Sequence, residues 1–452
     1  MSQTKALFVL AGSVLAFGAS AQAAEPAANR DEIRAIVAEM LADADSRSSL
    51  LQGGGTAGRD EKGFFIGSGD GNYKLNIGGF VQNTYFLNFR DDENADGNPG
   101  TGQPNEFEPG FQIKRARLEF TGNVISPDFK FGVTEELSNG AAGTASLKDA
   151  WWDYNLGNGW YIKGGQFRLG FLREELIGDT YQLASERSAV NSVFTQDRSQ
   201  GLEFGYRDEQ FRASLALSDG FNSDNTPFTT APALPSTAAE ADWGLTFRAE
   251  WNFMGSTKTL KDFTSMADGE WAAMVGAAVH FQQSANTQLN TDVDTDYLTY
   301  TIDFQIEGAG FNGFIAFVGN NTEISPGNAG SNDSDADDYG LVAQIGYRFD
   351  KFEPFVRYEG IYLDNDADTG RTFAATQDEN INFLTFGANY YFAGHAAKFT
   401  ADVSWCFDQT NGIAGLGGIP VGTGSYIGSS TGFIGSNEDD EVVLRFQFQF
   451  MF

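Results

Sequence analysis

The chain has one cysteine, two histidines and six methionines among 452 residues. A lone Cys406 excludes any intrachain disulfide and any site built from several thiolates. Two histidines leave little for His-based catalysis or a zinc centre. Basic residues are also scarce, with 29 Lys+Arg against 61 Asp+Glu and a formal net charge of −32. A nucleic-acid binder needs a basic footprint to displace counterions, so that class is excluded. Docking on anionic lipid through a polybasic patch is excluded for the same reason. Beyond residue 24 no stretch approaches the 18 or so apolar residues of a spanning helix. What is plentiful is glycine (54) and phenylalanine (41), beside an apolar share of only 41%. That mixture suits strands exposed on one face better than a thick globular core. At roughly 150 residues per domain the length suggests about three domains, unless the fold is an all-β barrel, which runs long as one.

The first residues read as a secretory signal, segment 1–23. Lys5 gives the positive start, Ala6 to Phe17 the apolar core, and Ala21-Gln22-Ala23 a small-residue cleavage site. An uncleaved anchor is the alternative, and its apolar run is short for that role. Segment 24–72 is expected to be a periplasmic leader. Within it, residues 30–51 predict the one amphipathic helix, because Ile33, Ile36, Val37, Met40, Leu41 and Ala44 recur on one face. Asn29 with Glu32 resembles a capping box, and Gly53-Gly54-Gly55 ends the segment. An isolated helix of this length is marginal, so an oligomerising helix and an unfolded leader both remain open.

From Tyr73 the period changes from 3.6 to 2. Leu298, Tyr300, Ile302, Phe304 and Ile306 oppose Thr299, Thr301, Asp303, Gln305 and Glu307. Trp243 to Phe253 repeats the pattern, with Thr246, Arg248, Glu250 and Asn252 on the opposite parity. Tyr73–Arg90 alternates too, although Phe80, Asn83 and Phe86 break the pattern. Such segments predict sixteen strands between 73 and 452, joined by connections that are alternately short and long. Residues 254–269 are the exception, long where a short turn is due.

Soluble sandwiches also alternate, so the period alone does not decide. Three further features do. The strands run to ~10 residues or more, where soluble strands have a mode of about 5–6. Their apolar parity is rich in aromatics near strand ends, as the girdles of an outer-membrane barrel are. The strand count is even, with short turns at one end and long loops at the other. In lipid an open sheet edge would leave unpaired N–H and C=O groups, so closure is compulsory. Sixteen strands enclose an aqueous lumen, whereas eight would be filled by side chains. The expected fold is therefore all-β, a 16-stranded antiparallel transmembrane barrel over 73–452. The last strand ends on Phe452, and a C-terminal aromatic resembles the signal read by the outer-membrane assembly machinery.

The stretch Phe111-Gln112-Ile113-Lys114-Arg115-Ala116-Arg117-Leu118 is followed by Leu147-Lys148-Asp149-Ala150-Trp151-Trp152-Asp153 and Lys163-Gly164-Gly165-Gln166-Phe167. Glu186-Arg187 and Asp197-Arg198-Ser199-Gln200-Gly201-Leu202 come next. This ordered set, over roughly 111–206, resembles the phosphate-selective porin O and P family. The resemblance implies a homotrimer of sixteen-stranded barrels in outer-membrane lipid, each narrowed by an inward-folded loop at about 170–198. It also implies passage of small hydrophilic solutes or inorganic anions, with no cofactor. By motif position Arg115, Arg117, Lys163, Arg187 and Arg198 are the pore-lining, anion-binding candidates. Each is equally readable as lining neutralised by a neighbouring carboxylate. The chain departs from the namesake in that the 170–198 segment has no lysine and carries the acids Glu174, Glu175, Asp179, Glu186 and Asp197. Acids and bases are also nearly balanced over the inward parities, so a phosphate preference is not implied by charge.

Other readings attach to smaller features. Acidic clusters such as Asp333/Asp335/Asp337/Asp338 and Asp364/Asp366/Asp368 are solvated loop charge or oxygen donors for a divalent ion. The glycine-rich 415–424 lacks the Gly-Lys-Ser/Thr of a phosphate loop. A barrel hydrolase needs a His beside a Ser or Asp, and the topology sends His280 and His395 towards opposite ends. A receptor or adhesin barrel, binding a partner through its long loops, is the remaining alternative.

Overall fold

The computed structural model describes residues 55–452 apart from 61, 92–105, 140–143, 222, 226–240, 267, 287–292, 327–333, 365–378, 411–430, 435 and 437. The signal segment, the helix expected over 30–51 and the 415–424 stretch lie outside the described residues.

Among the described residues eighteen antiparallel strands form one sheet. Two short ones, β1 (Thr56–Asp60) and β2 (Gly63–Gly67), precede β3 (Lys74–Phe89). Then follow β4 (Phe107–Asn123), β5 (Phe129–Asn139), β6 (Thr144–Gly157), β7 (Trp160–Arg168), β8 (Arg198–Arg207), β9 (Phe211–Ser218) and β10 (Ala241–Met254). The rest are β11 (Ala272–Asn286), β12 (Val293–Gly308), β13 (Phe311–Pro326), β14 (Ser334–Tyr347), β15 (Phe352–Tyr362), β16 (Asn380–Tyr391), β17 (Ala397–Cys406) and β18 (Val442–Met451). From β3 to β18 each strand pairs with its sequence neighbours, and β18 pairs back on β3 over Phe80–Phe89. The result is a closed sixteen-stranded barrel, with no free edge where lipid would touch it.

The β1–β2 hairpin falls in the segment expected to be a leader. Its place has a physical reason. β18 covers β3 only from Phe80 onward, and β2 pairs with the remaining start of β3 at Lys74–Ile77. Lys74 Nζ bonds Asp60 across this hairpin at 2.6 Å.

At the seam the chain end is clasped. Gly79 N–H donates to Phe452 O at 3.2 Å, and Phe452 N–H donates to Gly79 O at 3.0 Å. A Cβ on Gly79 would stand 2.3 Å from Arg117 O and 2.8 Å from the Phe452 ring, so only glycine fits.

The two parities separate as the alternation requires. On β12 the outward Ile302 is 54% exposed, while the inward Thr299 and Asp303 are 0% and 2% exposed. Aromatic contacts ring the barrel at the short-turn end, including Trp160–Phe204 at 5.1 Å, Tyr347–Phe349 at 4.6 Å and Tyr390–Phe392 at 4.9 Å. They match the girdle that anchors a barrel at the headgroup level.

The inward parity is not uniformly polar. Phe314, Val318, Val342, Phe355, Ile361, Ile381, Phe383 and Val443 face inward and are buried in one apolar cluster with residues of the 169–197 connection. Phe80 and Phe86, which break the alternation of β3, belong to this inner surface. Phe80 lies under the Arg117 guanidinium at 5.5 Å, and Phe86 packs against the cluster.

Candidate functional site

The connection between β7 and β8 enters the lumen as an inward-folded constriction loop. It contains α1 (Arg173–Leu176), a 3-10 turn (Asp179–Tyr181) and α2 (Ala189–Phe194). Ser188 caps α2, its hydroxyl accepting from Asn191 N–H at 2.9 Å. Apolar side chains seat the loop on one side of the barrel, with Leu172, Ile177, Leu183, Val190, Val193 and Phe194 all buried against the β13–β18 wall. Gly340 of β14 makes room for α2, because a Cβ there would stand 2.7 Å from Val190 and 2.8 Å from Phe194.

Ion pairs hold the other side of the loop. Asp179 accepts from four arginines. Arg115 Nε is 3.2 Å and Arg168 Nη2 3.0 Å from its carboxylate, and Arg117 and Arg187 each bond it more closely. Burial pushes the Asp179 carboxyl up, but Arg117, Arg187, Arg115 and Arg168 together hold it well below the ordinary carboxylate range. Glu186 accepts from Arg115 at 2.7 Å, and Lys114 stands 3.7 Å away. Glu175 pairs with Arg168 at 2.9 Å and Arg187 at 3.6 Å. Burial raises Glu175, and the two arginines outweigh it and lower the carboxyl. Glu174 accepts from Ser188 Oγ at 2.5 Å and Ser188 N–H at 2.8 Å, with Arg357 at 3.9 Å. There burial wins, and the Glu174 carboxyl rises.

The five basic candidates therefore meet different fates. Arg115, Arg117 and Arg187 converge on Asp179. Arg117 also pairs with Glu136 of β5 at 2.7 Å. Arg198 lies apart, between Asp197 at 2.7 Å and Asp149 at 3.4 Å. Lys163 has no ion pair among the described residues; its Nζ lies 4.0 Å from the Phe167 ring centroid and 5.3 Å from that of Trp151. The acids Glu174, Glu175, Asp179 and Glu186 are all buried, in contact with cations or hydroxyls.

Between the loop and the β7–β10 wall a cavity of about 340 Å³ remains. Six cations reach it (Lys163, Arg168, Arg173, Arg212, Arg248 and Lys261) against two carboxylates, Glu203 and Glu250. Within it Arg248 is paired with Glu250 and Asp303, each at 2.8 Å, and Arg173 with Glu250 at 3.4 Å. Lys163, Arg212 and Lys261 make no ion pair among the described residues. Of the basic candidates chosen from motif position, only Lys163 lines this cavity. Around this cavity bases outnumber acids, although Arg168 is itself paired with the loop's Glu175 and Asp179.

Motif position missed Arg168, Arg212 and Lys261. Arg168 directly follows the Lys163–Phe167 block, and Arg212 was readable as inward from the parity of β9. Lys261 had no readable side, because its connection has no strand period; the unusual length of 254–269 was the only signal.

The histidines are indeed far apart in role. His280 is buried, with Nδ1 2.8 Å from Thr246 Oγ1 and Nε2 3.3 Å from Gln282 Oε1. His395 lies in the β16–β17 turn, 3.6 Å from Asp262. Cys406 is fully buried, as expected of an inert thiol on a strand.

Comparison with solved structures agrees with this architecture. The anion-selective porin of Comamonas acidovorans superposes with a TM-score of 0.51 at 12% identity, covering 84% of this chain and 99% of that one. The outer-membrane channel DcaP of Acinetobacter baumannii gives 0.52 at 15% identity, over 85% and 99%. OmpT, an outer-membrane protein of Vibrio cholerae solved in a trimer form, gives 0.51 at 11% identity, over 84% and 99%. At these identities the likeness is one of fold. No curated protein matches the chain. The family model for phosphate-selective porin O and P matches residues 84–412, which takes in every barrel strand from within β3 to β17. An outer-membrane location and a passive-diffusion channel follow from that match and from the closed barrel around a polar lumen. The chain is a porin, a member of the phosphate-selective porin O and P family.

Proposed function

We propose that this porin prefers small anions, and that it does so through the cavity between the constriction loop and the β7–β10 wall. The observation that carries this reading is the excess of six cations over two carboxylates around that space. Pore charge sets ionic selectivity most strongly where the path is narrow and the surrounding dielectric low. Arg115, Arg117 and Arg187 serve differently in this reading: they anchor the loop through Asp179 and Glu186 and so fix the width of the path. The functional unit is a homotrimer, as the trimer form of the Vibrio cholerae protein suggests. Long loops face the exterior and short turns the periplasm, the usual arrangement for such barrels. Residues 1–23 act as the export signal and 24–72 as a periplasmic leader, the later part of which carries the β1–β2 hairpin.

Reversal potential in a KCl gradient tests the proposal. The wild-type pore should show an anion-selective sign, and Lys163→Gln should move the potential towards the cation side. A cation-selective wild type would overturn the anion assignment. Absence of conductance at every voltage and salt would favour a receptor barrel instead.

A further inference from the structure

The connection between β10 and β11, residues 255–271, starts at the short-turn end yet is not a turn. Its Leu260 and Phe263 are each 2% exposed. The Phe263 ring stands 4.8 Å from that of lumenal Phe314, and its N–H donates to Tyr181 O of the constriction loop at 3.1 Å. Gln305 Nε2 donates to Asp262 O at 2.7 Å, and Thr264 Oγ1 donates to Glu353 at 2.5 Å. The Arg173 guanidinium of α1 donates to Leu260 O. Two segments entering from opposite ends of the barrel therefore meet inside it.

This segment also borders the cavity. Lys261 reaches it, is exposed and has no ion pair with any described carboxylate. Arg212 on β9 is likewise exposed, and lines the same space. Arg173 and Arg248 contribute less net field, because Glu250 and Asp303 stand against them. At the short-turn end the cations of this cavity that make no ion pair with a described carboxylate are thus Lys261 and Arg212, the latter across the ladder from Glu250.

We infer that residues 255–271 are a second inward-folded selectivity element, and that Lys261, acting with Arg212, sets the pore's preference for small anions at its exit. This rests on the anion-preferring reading above and places part of that preference on a segment separate from the constriction loop. A cation on a low-dielectric wall concentrates counter-ions locally, and the effect is screened as the Debye length falls from ~10 Å at 0.1 M salt to ~3 Å at 1 M. Because Lys261 stands near one end, salt added on that side alone should weaken the selectivity more than the same salt on the other.

Two measurements on the full, folded protein in planar bilayers test this. In a KCl gradient the Lys261→Gln, Arg212→Gln double variant should lose part of the anion preference, its reversal potential moving towards the cation side with conductance retained. An anion-selective wild type with an unchanged double variant would overturn the inference and leave the broader reading standing. Separately, Lys261→Cys should react with a sulfonate-bearing thiosulfonate reagent, and the current should fall on reaction. That readout does not depend on which ion the pore prefers. A current unaffected by the reagent, with labelling verified by mass, would place Lys261 off the conduction path and overturn the inference whatever the wild-type selectivity.

Discussion

Asp179 concentrates the energetics of the constriction on one side chain. Four arginines around a carboxylate form a cluster in which removing the central charge leaves several cations facing one another. Breaking a buried pair by deleting one partner costs about 3–5 kcal/mol. The Asp179→Asn variant should therefore loosen the loop while the barrel stays closed. Single-channel recording should show larger and noisier current steps, whereas the heat-modifiable gel mobility of the folded barrel should not change. Wild-type-like steps would mean that the apolar contacts alone hold the loop. The pH dependence follows from the direction of the shift. A carboxyl whose folded value is depressed stabilises fully above its unfolded value near 3.8, and the contribution fades as pH falls through the lower folded value. The loop should thus stay latched in mild acid and release only below about that pH, seen as a rise in current noise. Arg115 and Arg117 were legible as inward neighbours because they share one parity of one strand. Their main partner was not, since Asp179 belongs to a connection with no period and meets them only after the loop folds back.

At the scale of elements, the strand pattern was readable in the lipid-facing zone and faded beyond it. β12 to β14 extend further at the long-loop end than the alternation does. There Asn321 Nδ2 bonds Asp335 at 2.6 Å and Asp337 at 3.1 Å, on strand segments polar on both faces. Outside the bilayer nothing enforces an apolar parity, so the period stops while the ladder continues. The opposite confusion arose inside the barrel, where Phe80 and Phe86 looked like errors of register and are instead part of the wall that receives the loop. Two substitutions separate these environments. Ile302→Arg places a charge on the lipid face and should cost about 2–4 kcal/mol if near the midplane. Thr299→Arg, on the lumenal parity of the same strand, should cost less; urea unfolding in detergent or bilayers compares the two. Gly340→Leu should unseat α2 from the wall. Limited proteolysis would register this as cleavage within 186–197 that the wild type resists.

For the whole molecule, topology makes a prediction of sidedness. Cysteines introduced at 364 or 91 should react with an impermeant reagent on intact cells, and cysteines at 127 or 209 should not. The reverse pattern would invert the barrel. The native Cys406 is buried and should leave the background low. Deletion of residues 30–51 tests whether the leader's apolar stripe supports assembly. A lowered trimer melting temperature with conductance retained is expected if it does, and an unchanged one removes that role.

The clasp between Gly79 and Phe452 dictates when this protein can exist as a barrel. One partner belongs to the first wall strand and the other directly follows the last, so the cylinder cannot close until all sixteen wall strands have been delivered. Contacts this remote in sequence form slowly, because nearly the full length of the polymer must be restrained before they repay the lost entropy. Throughout that wait the strand edges are unpaired and the outward aromatics uncovered, a state prone to aggregation. Removing Phe452 alone should lengthen that exposed interval and divert material to degradation, even though the mature lumen would be lined by the same side chains.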